Sequence, residues 1–139
     1  NSKGWVWPCP SSRSITSYYG WRTHPVYRVK RFHSGIDIDG DYGDPIVAAR
    51  SGTVIIVNNP VEGRNTGGSG YGNYIVIAHD GGFTSLYGHL KSTRVREGQY
   101  VKAGDKIGTC GSTGTSTGSH LHFEIRINGS TTDPLPYVK

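Results

Sequence analysis

The most regular alternation of apolar and polar residues in the chain covers residues 120–127. Such an alternation predicts a β-strand with one buried face, because successive side chains on a strand point to opposite sides. The apolar residues that would face the core are Leu121, Phe123, Ile125 and Ile127. The polar residues that would share the opposite face are His120, His122, Glu124 and Arg126. Side chains two apart on a strand are separated by roughly 6 to 7 Å, so one histidine could bind a metal ion while the other acts on water or substrate. The same pattern is also typical of a solvated polar face.

Shorter β-rich runs, separated by turn residues, predict further strands along the chain. These runs cover residues 14–19, 33–39, 44–49, 52–57, 74–78 and 83–87. The Asp80-Gly81 pair predicts a hairpin that would deliver His89 just past its second strand. Loops are predicted at residues 20–32, 58–72 and 111–119, the first of them lying over the site. No window shows helical periodicity, so we expect an antiparallel, mostly β domain.

Composition agrees with this prediction and limits the class of protein. The 139 residues suffice for one domain, and 21 Gly and 7 Pro suit short strands joined by tight turns. No apolar run has the length of a membrane-spanning helix, so none is expected. The formal charge of +5 favours an anionic partner, such as nucleic acid, a membrane surface or an acidic wall polymer. Nucleic acid is the least favoured, because the basic residues are scattered and no recognised nucleic-acid-binding motif accompanies them.

The two cysteines, Cys9 and Cys110, are too few for a cysteine-based zinc site. A bond between them would close a loop of about 100 residues and contribute roughly 4 to 5 kcal/mol in the chain-entropy model. Two buried free thiols in a reducing compartment are the alternative, and the spacing leaves both open.

Histidine and aspartate offer a different kind of metal site. Catalytic zinc sites commonly use three protein ligands and keep one position open. His33 and Asp37 would be roughly 13 Å apart on an ideal strand, so a shared ion requires a bend at Ser34-Gly35. His89, at a predicted strand end, has two interpretations: a fourth ligand that closes a structural site, or an acid/base beside an open catalytic site.

Two other histidines and two missing motifs limit which residues could act in catalysis. His24 lies beside a proline and His79 at the mouth of a hairpin, so we expect structural or solvated roles for both. The chain has no H-E-x-x-H helix and no G-x-S-x-G elbow. Histidine would therefore have to act as the general base.

Three motifs together resemble lysostaphin-type (LytM-type) peptidoglycan metalloendopeptidases. They are H-S-G-I-D-I at 33–38, Y-G-H-L at 87–90 and G-S-T-G-T-S-T-G-S-H-L-H-F-E at 111–124, and the likeness extends over about residues 7 to 137. The resemblance implies a zinc ion bound by His33, Asp37 and His122, with His89 and His120 as the catalytic histidines. It also implies an all-β fold, an antiparallel β-sheet groove with flanking loops (the duplicated hybrid motif), whose walls would be residues 20–32 and 58–72.

The function implied by this resemblance is zinc-dependent hydrolysis of the peptide cross-links of bacterial peptidoglycan. The first expectation for the bond is the D-alanyl to diamino acid cross-link. The alternative is a non-catalytic wall-binding or hydrolase-regulating domain, which would need broken ligands. We expect residues 1–139 to form a single, monomeric peptidase domain of a larger secreted protein, extracellular or wall-associated, that binds peptidoglycan peptides, is attracted to anionic wall polymers and does not bind nucleic acid. That location favours a Cys9–Cys110 disulfide.

Overall fold

The structure is a computed structural model that describes residues 4–23, 30–59, 71–113 and 119–138. Its first six strands are β1 (Ile15–Ser17), β2 (Gly20–Thr23), β3 (Lys30–His33), β4 (Ile36–Ile38), β5 (Pro45–Val47) and β6 (Gly52–Asn58). The other six are β7 (Asn73–Ala78), β8 (Phe83–Thr93), β9 (Tyr100–Val101), β10 (Lys106–Cys110), β11 (Leu121–Ile127) and β12 (Ser130–Thr132). A 3-10 turn (Asp80–Gly82) and a short helix α1 (Leu135–Val138) complete the regular structure of these ranges. The predicted all-β class is confirmed.

Ten of the strands form one antiparallel sheet whose main path runs β1-β4-β11-β8-β7-β6-β9. Strand β12 pairs with β11, while β10 pairs with both β5 and β8. Strands β2 and β3 pair with each other in a separate two-stranded sheet. Because β11 lies between β4 and β8, side chains from both neighbours flank those of β11.

The strand predicted from the alternating pattern is confirmed, and both of its faces are covered. Leu121, Phe123 and Ile125 are fully buried, although Ile127 at the strand end is only half-buried. On the other face His122 and Glu124 are buried as well. This face is therefore not the solvated polar surface that the pattern also allowed.

The core lies under the buried face of β11 and its neighbours. It is built mainly from Ile36, Ile38, Ile46, Ile75, Ile77, Tyr87, Leu90, Ile107, Leu121, Phe123 and Ile125. Trp5 and Trp7 of the N-terminal segment join it, and that segment is fixed by a hydrogen bond from the Val6 N–H to the Ala49 carbonyl, 2.7 Å long. Removing this apolar surface from water is what stabilises the sheet.

Two sequence-based predictions about local structure are wrong. The predicted loop over residues 20–32 contains β2 and β3, whose register pairs Trp21 with Phe32. The proline at position 25 interrupted a pattern whose aromatic residues favour strands. His89 lies inside β8 rather than past its end, because β8 continues beyond β7 to pair with β10.

Other predictions fall outside the described residues. His24 is one of them, as are residues 60–70 and 114–118, which make up most of two predicted loops. The wall-forming role of residues 20–32 and 58–72 stays a prediction.

Cys9 and Cys110 are free, buried thiols in the structure. A side-chain carbon on Gly40 would lie 3.0 Å from the Cys110 Sγ and 3.4 Å from the Cys9 Sγ, so both sulphur atoms border the same residue. The disulfide stays a prediction. Among the helices of the described residues, none is long and apolar enough to cross a membrane.

Candidate metal centre

The centre of the site is a cross-strand pair formed by Asp37 and His122. Their Cα atoms are direct partners in the β4–β11 ladder, so the strand register alone brings the two side chains together. The His122 Nδ1 lies 2.9 Å from the Asp37 Oδ1. Asp37 is partly open to solvent while His122 is buried, which places the pair at the edge of the interior.

His33 reaches this pair through a bend between β3 and β4. The predicted bend at Ser34-Gly35 is present, and a side-chain carbon at Gly35 would collide with the Phe123 carbonyl oxygen. Glycine therefore permits the close approach to β11. The His33 Nε2 lies 3.4 Å from the Asp37 Oδ2.

Together these side chains can hold a metal ion. One ligand atom from each of His33, Asp37 and His122 lies within 4.8 Å of the others, in the part of the chain that the structure describes. The His33 Nδ1–H donates to the Tyr18 carbonyl at 3.0 Å, so in the neutral ring Nε2, the nitrogen on the Asp37 side, has the lone pair that a metal ion would use. Two imidazole nitrogens and one carboxylate oxygen are a donor set that suits zinc.

Asp37 and His122 each stabilise the charged form of the other. Burial alone would raise the pKa of Asp37, but hydrogen bonds from His122 and His33 outweigh burial and hold that pKa well below its usual range. Burial alone would lower the pKa of His122, but Asp37 and Glu124 outweigh it and raise this pKa to about 9. The ionised Asp37 carboxylate is thus the central charge of the site.

Two further histidines border the site. The His89 Nδ1–H donates to the Thr113 carbonyl at 2.6 Å, which leaves Nε2 as the nitrogen that can accept a proton. The His89 ring lies 4.7 Å from the His120 ring and 6.0 Å from the His122 ring, measured between centroids. Burial lowers the pKa of His89 to about 4, and its φ of 61° is a strained conformation for a residue other than glycine. The His120 Nε2 is 3.7 Å from the Asp37 Oδ1.

Comparison with known proteins agrees with this arrangement. The model of Peptidase family M23 matches residues 31–134, which include all five of these histidine and aspartate residues. The chain belongs to Peptidase family M23. The resemblance to lysostaphin-type enzymes is thereby confirmed.

Proteins similar to this chain carry names of two kinds. The DD-carboxypeptidase/endopeptidase Mpg of Neisseria meningitidis is 41% identical over 121 residues, covering 87% of this chain and 26% of that protein. The murein hydrolase activator NlpD of Salmonella dublin is 46% identical over 106 residues, covering 76% of this chain and 26% of that protein. A zinc-containing peptidase from Vibrio cholerae has a TM-score of 0.79 and 34% identity, covering 94% of this chain and 39% of that one. The chain thus spans about a quarter of the length of the two curated relatives.

Glu124 is a buried residue of this M23 site to which the sequence analysis gave no role. Its Oε2 accepts hydrogen bonds from Ser34 Oγ at 2.8 Å, Tyr71 Oη at 2.5 Å and His122 Nε2 at 2.8 Å. Its Oε1 accepts two from Arg126, at 2.9 and 2.7 Å. Burial alone would raise the pKa of Glu124, but the donors outweigh it and lower this pKa to about 2. The signal available in the sequence was its place on the histidine face of the strand.

Tyr71 is a second residue that the sequence analysis missed. Its ring stacks on that of His122, with centroids 5.3 Å apart and planes at 27°, in space left by the absent side chain of Gly88. Its carbonyl accepts the His89 N–H at 2.7 Å. Tyr71 thus contacts one predicted ligand and one predicted catalytic histidine of the M23 domain, and no sequence signal identified it.

His79 takes no part in the site, in agreement with the structural role expected for it. It is buried, its Nδ1–H donates to the Ser51 carbonyl at 2.8 Å, and its Nε2 accepts from the Ser85 hydroxyl at 2.8 Å. The five functional residues predicted from the sequence lie together in this M23 chain, whereas His79 belongs to a separate network.

Proposed function

We propose that this chain is a zinc-dependent endopeptidase that hydrolyses peptide cross-links of bacterial peptidoglycan. The observation that carries the proposal is the intact set of His33, Asp37 and His122 with two more histidines beside it. An open three-ligand site bordered by bases is typical of a catalytic centre, whereas structural zinc sites are closed by a fourth ligand.

The roles of the residues follow from which nitrogen atoms are occupied. Zinc would be held by His33 through Nε2, by the Asp37 carboxylate and by His122 through Nδ1, the atoms that face one another. When bound, the ion supplies a Lewis acid for the scissile carbonyl and for water. His89 has its Nδ1 fixed by Thr113, so Nε2 is the atom that receives the proton of the attacking water.

His120 acts at the more exposed side of the centre. Its side chain is 20% exposed and its ring lies beside that of His89, so it can contact both substrate and solvent. We assign to it the stabilisation of charge that develops on the carbonyl oxygen and the delivery of a proton to the leaving amine.

For the bond, we propose the D-alanyl to diamino acid cross-link. The support is the similarity to Mpg, whose name describes a DD-carboxypeptidase and endopeptidase. We place the whole protein in the cell envelope or outside the cell, because one relative is named for the activation of murein hydrolases. We further propose that this chain is a monomer and one peptidase domain of a longer protein, the latter because both curated relatives are longer than this chain. The charge of +5 would attract it to anionic wall polymers.

A second candidate function is regulation of another murein hydrolase. The observation that favours it is the 46% identity to a protein named murein hydrolase activator. In that case the groove would bind its partner without cutting peptide bonds. The intact ligand set favours the first candidate, since regulation does not require a metal-binding trio.

The experiment measures release of new amino groups from purified peptidoglycans of defined cross-link type. The protein is assayed as prepared, after treatment with chelator and after zinc is added back, beside His122→Ala. We expect release from directly cross-linked walls that chelator abolishes, zinc restores and the variant lacks. The second candidate would be established instead by a protein that binds one zinc ion per chain but releases no amino groups from any wall. That protein would also have to stimulate a murein hydrolase that is added to the assay.

A further inference from the structure

The two oxygen atoms of the Glu124 carboxylate accept hydrogen bonds from different residues. Among the described residues, Oε2 faces three donors, from Ser34, Tyr71 and His122, while Oε1 faces the guanidinium of Arg126. Glu124 is fully buried, so none of these bonds is exchanged for water. The group is therefore fixed in position and in orientation.

His122 needs one particular tautomer to act as a ligand. Its Nδ1 faces Asp37 and the metal centre, so Nδ1 must present a lone pair and the ring proton must stay on Nε2. Nε2 in turn faces the Glu124 Oε2 at 2.8 Å, and an ionised carboxylate can only accept. The neighbour of Nε2 thus decides which nitrogen is left for the metal.

From this arrangement we propose that Glu124 is a positioning residue that keeps the His122 proton on Nε2, and that Arg126 makes a carboxylate necessary there. This inference rests on the metal site of the proposed function. The reason lies in what an amide would do at position 124. Arg126 donates two hydrogen bonds to Oε1, so it would draw the amide oxygen of a glutamine to that side. The amide NH₂ would then face His122 and donate to Nε2, which places the ring proton on Nδ1, toward the metal.

The test begins with Glu124→Gln, which preserves size and shape. Zinc affinity of the metal-free protein is measured by competition with a chromophoric chelator, a readout that needs no substrate. We expect the affinity to fall about 10- to 100-fold, the usual effect of removing the hydrogen-bond partner of a ligating histidine. Ser34→Ala is the matched control, because it removes another donor to the same Oε2 but leaves the carboxylate, and we expect a change below about threefold.

The decisive step is rescue by a second substitution. Arg126→Met removes both donors to Oε1, so in the double variant the glutamine amide is free to turn its oxygen toward His122. We expect the Glu124→Gln/Arg126→Met protein to bind zinc within about threefold of Arg126→Met alone, a strongly non-additive result. A residue that merely filled space or added stability would give additive losses.

Three outcomes contradict the inference. One is wild-type-like zinc affinity in Glu124→Gln, and another is a loss that Arg126→Met does not repair. If Glu124→Gln alone does not fold, the double variant is compared with Arg126→Met, and a gap of tenfold or more overturns the inference. Absence of zinc binding by the wild-type protein in the same titration would instead refute the proposed function itself.

Discussion

Two buried histidine networks lie on opposite faces of the same pair of strands. His122 is the cross-strand partner of Gly88, whereas Ser85 and Tyr87, which face Ile125 and Phe123, point to the core side. On the core side Tyr87 donates to Ser85 at 2.7 Å and Ser85 donates to His79 at 2.8 Å. The two networks thus share a scaffold and a residue type, and differ in what surrounds the imidazole.

The difference is the charge of the partners. Both nitrogens of His122 face carboxylates, and although burial opposes them, Asp37 and Glu124 raise its pKa to about 9. Both nitrogens of His79 face neutral groups, a carbonyl and a hydroxyl, so burial prevails and lowers its pKa. An imidazole between carboxylates suits a cation, either a proton or a metal ion, while one between neutral dipoles serves to connect strands.

The largest effect should come from exchanging the two histidines for glutamine in turn. Structural zinc sites bind with about 10 to 16 kcal/mol in total, so loss of one ligand should weaken binding by about 10²- to 10³-fold. We expect His122→Gln to show this weaker zinc binding and to lose hydrolysis, and His79→Gln to keep zinc affinity within about threefold. Titration with zinc checks both variants. Equal loss in both would mean that the two networks are not functionally distinct.

His89 sharpens the comparison, because one of its nitrogens is anchored as in His79. Each Nδ1–H donates to a backbone carbonyl, that of Thr113 for His89 and that of Ser51 for His79. The His89 ring, however, lies beside the rings of His120 and His122 at the site. We expect His89→Gln to retain zinc and to lose about 10²- to 10⁴-fold in turnover, the range for a general base. If the variant instead kept its turnover and lost stability, His89 would have a structural role like that of His79.

The local part of the site could be predicted from the sequence, and the long-range part could not. The alternation over residues 120–127 predicted the strand, and the need for a bend predicted how His33 reaches Asp37. The surroundings of Glu124 come from Ser34, 90 residues away, and Tyr71, 53 residues away. Such contacts depend on strand register and on the path of a loop, and neither leaves a periodic signal in one sequence.

The next effect in size concerns folding stability. His79→Gln removes at least one of the two hydrogen bonds of this buried imidazole and leaves its partner unsatisfied, which costs about 1 to 3 kcal/mol in the free energy of unfolding. Urea unfolding of metal-free protein measures this loss. Ser85→Ala is the companion variant, since it removes the hydroxyl from the same series of hydrogen bonds. The two losses should be non-additive in the double variant, and full additivity would show that Ser85 and His79 stabilise the fold independently.

The smallest effect is the pH dependence of that stability. Because the folded chain holds the pKa of His79 below its ordinary value of 6.5, the unfolded chain takes up a proton that the folded chain resists. The stabilisation by neutral His79 is therefore complete above about pH 6.5 and is lost as the pH falls toward the folded pKa, with a slope of at most about 1.4 kcal/mol per pH unit.

Urea unfolding of wild type and His79→Gln is compared at steps from pH 7.5 to 5, with chelator present. The difference between the two proteins should shrink as the pH falls, while titrations at the metal centre cancel in that difference because they occur on the other face of the sheet. A difference that stays constant would mean that His79 is protonated as easily in the folded chain as in the unfolded one, and that its burial does not set its charge.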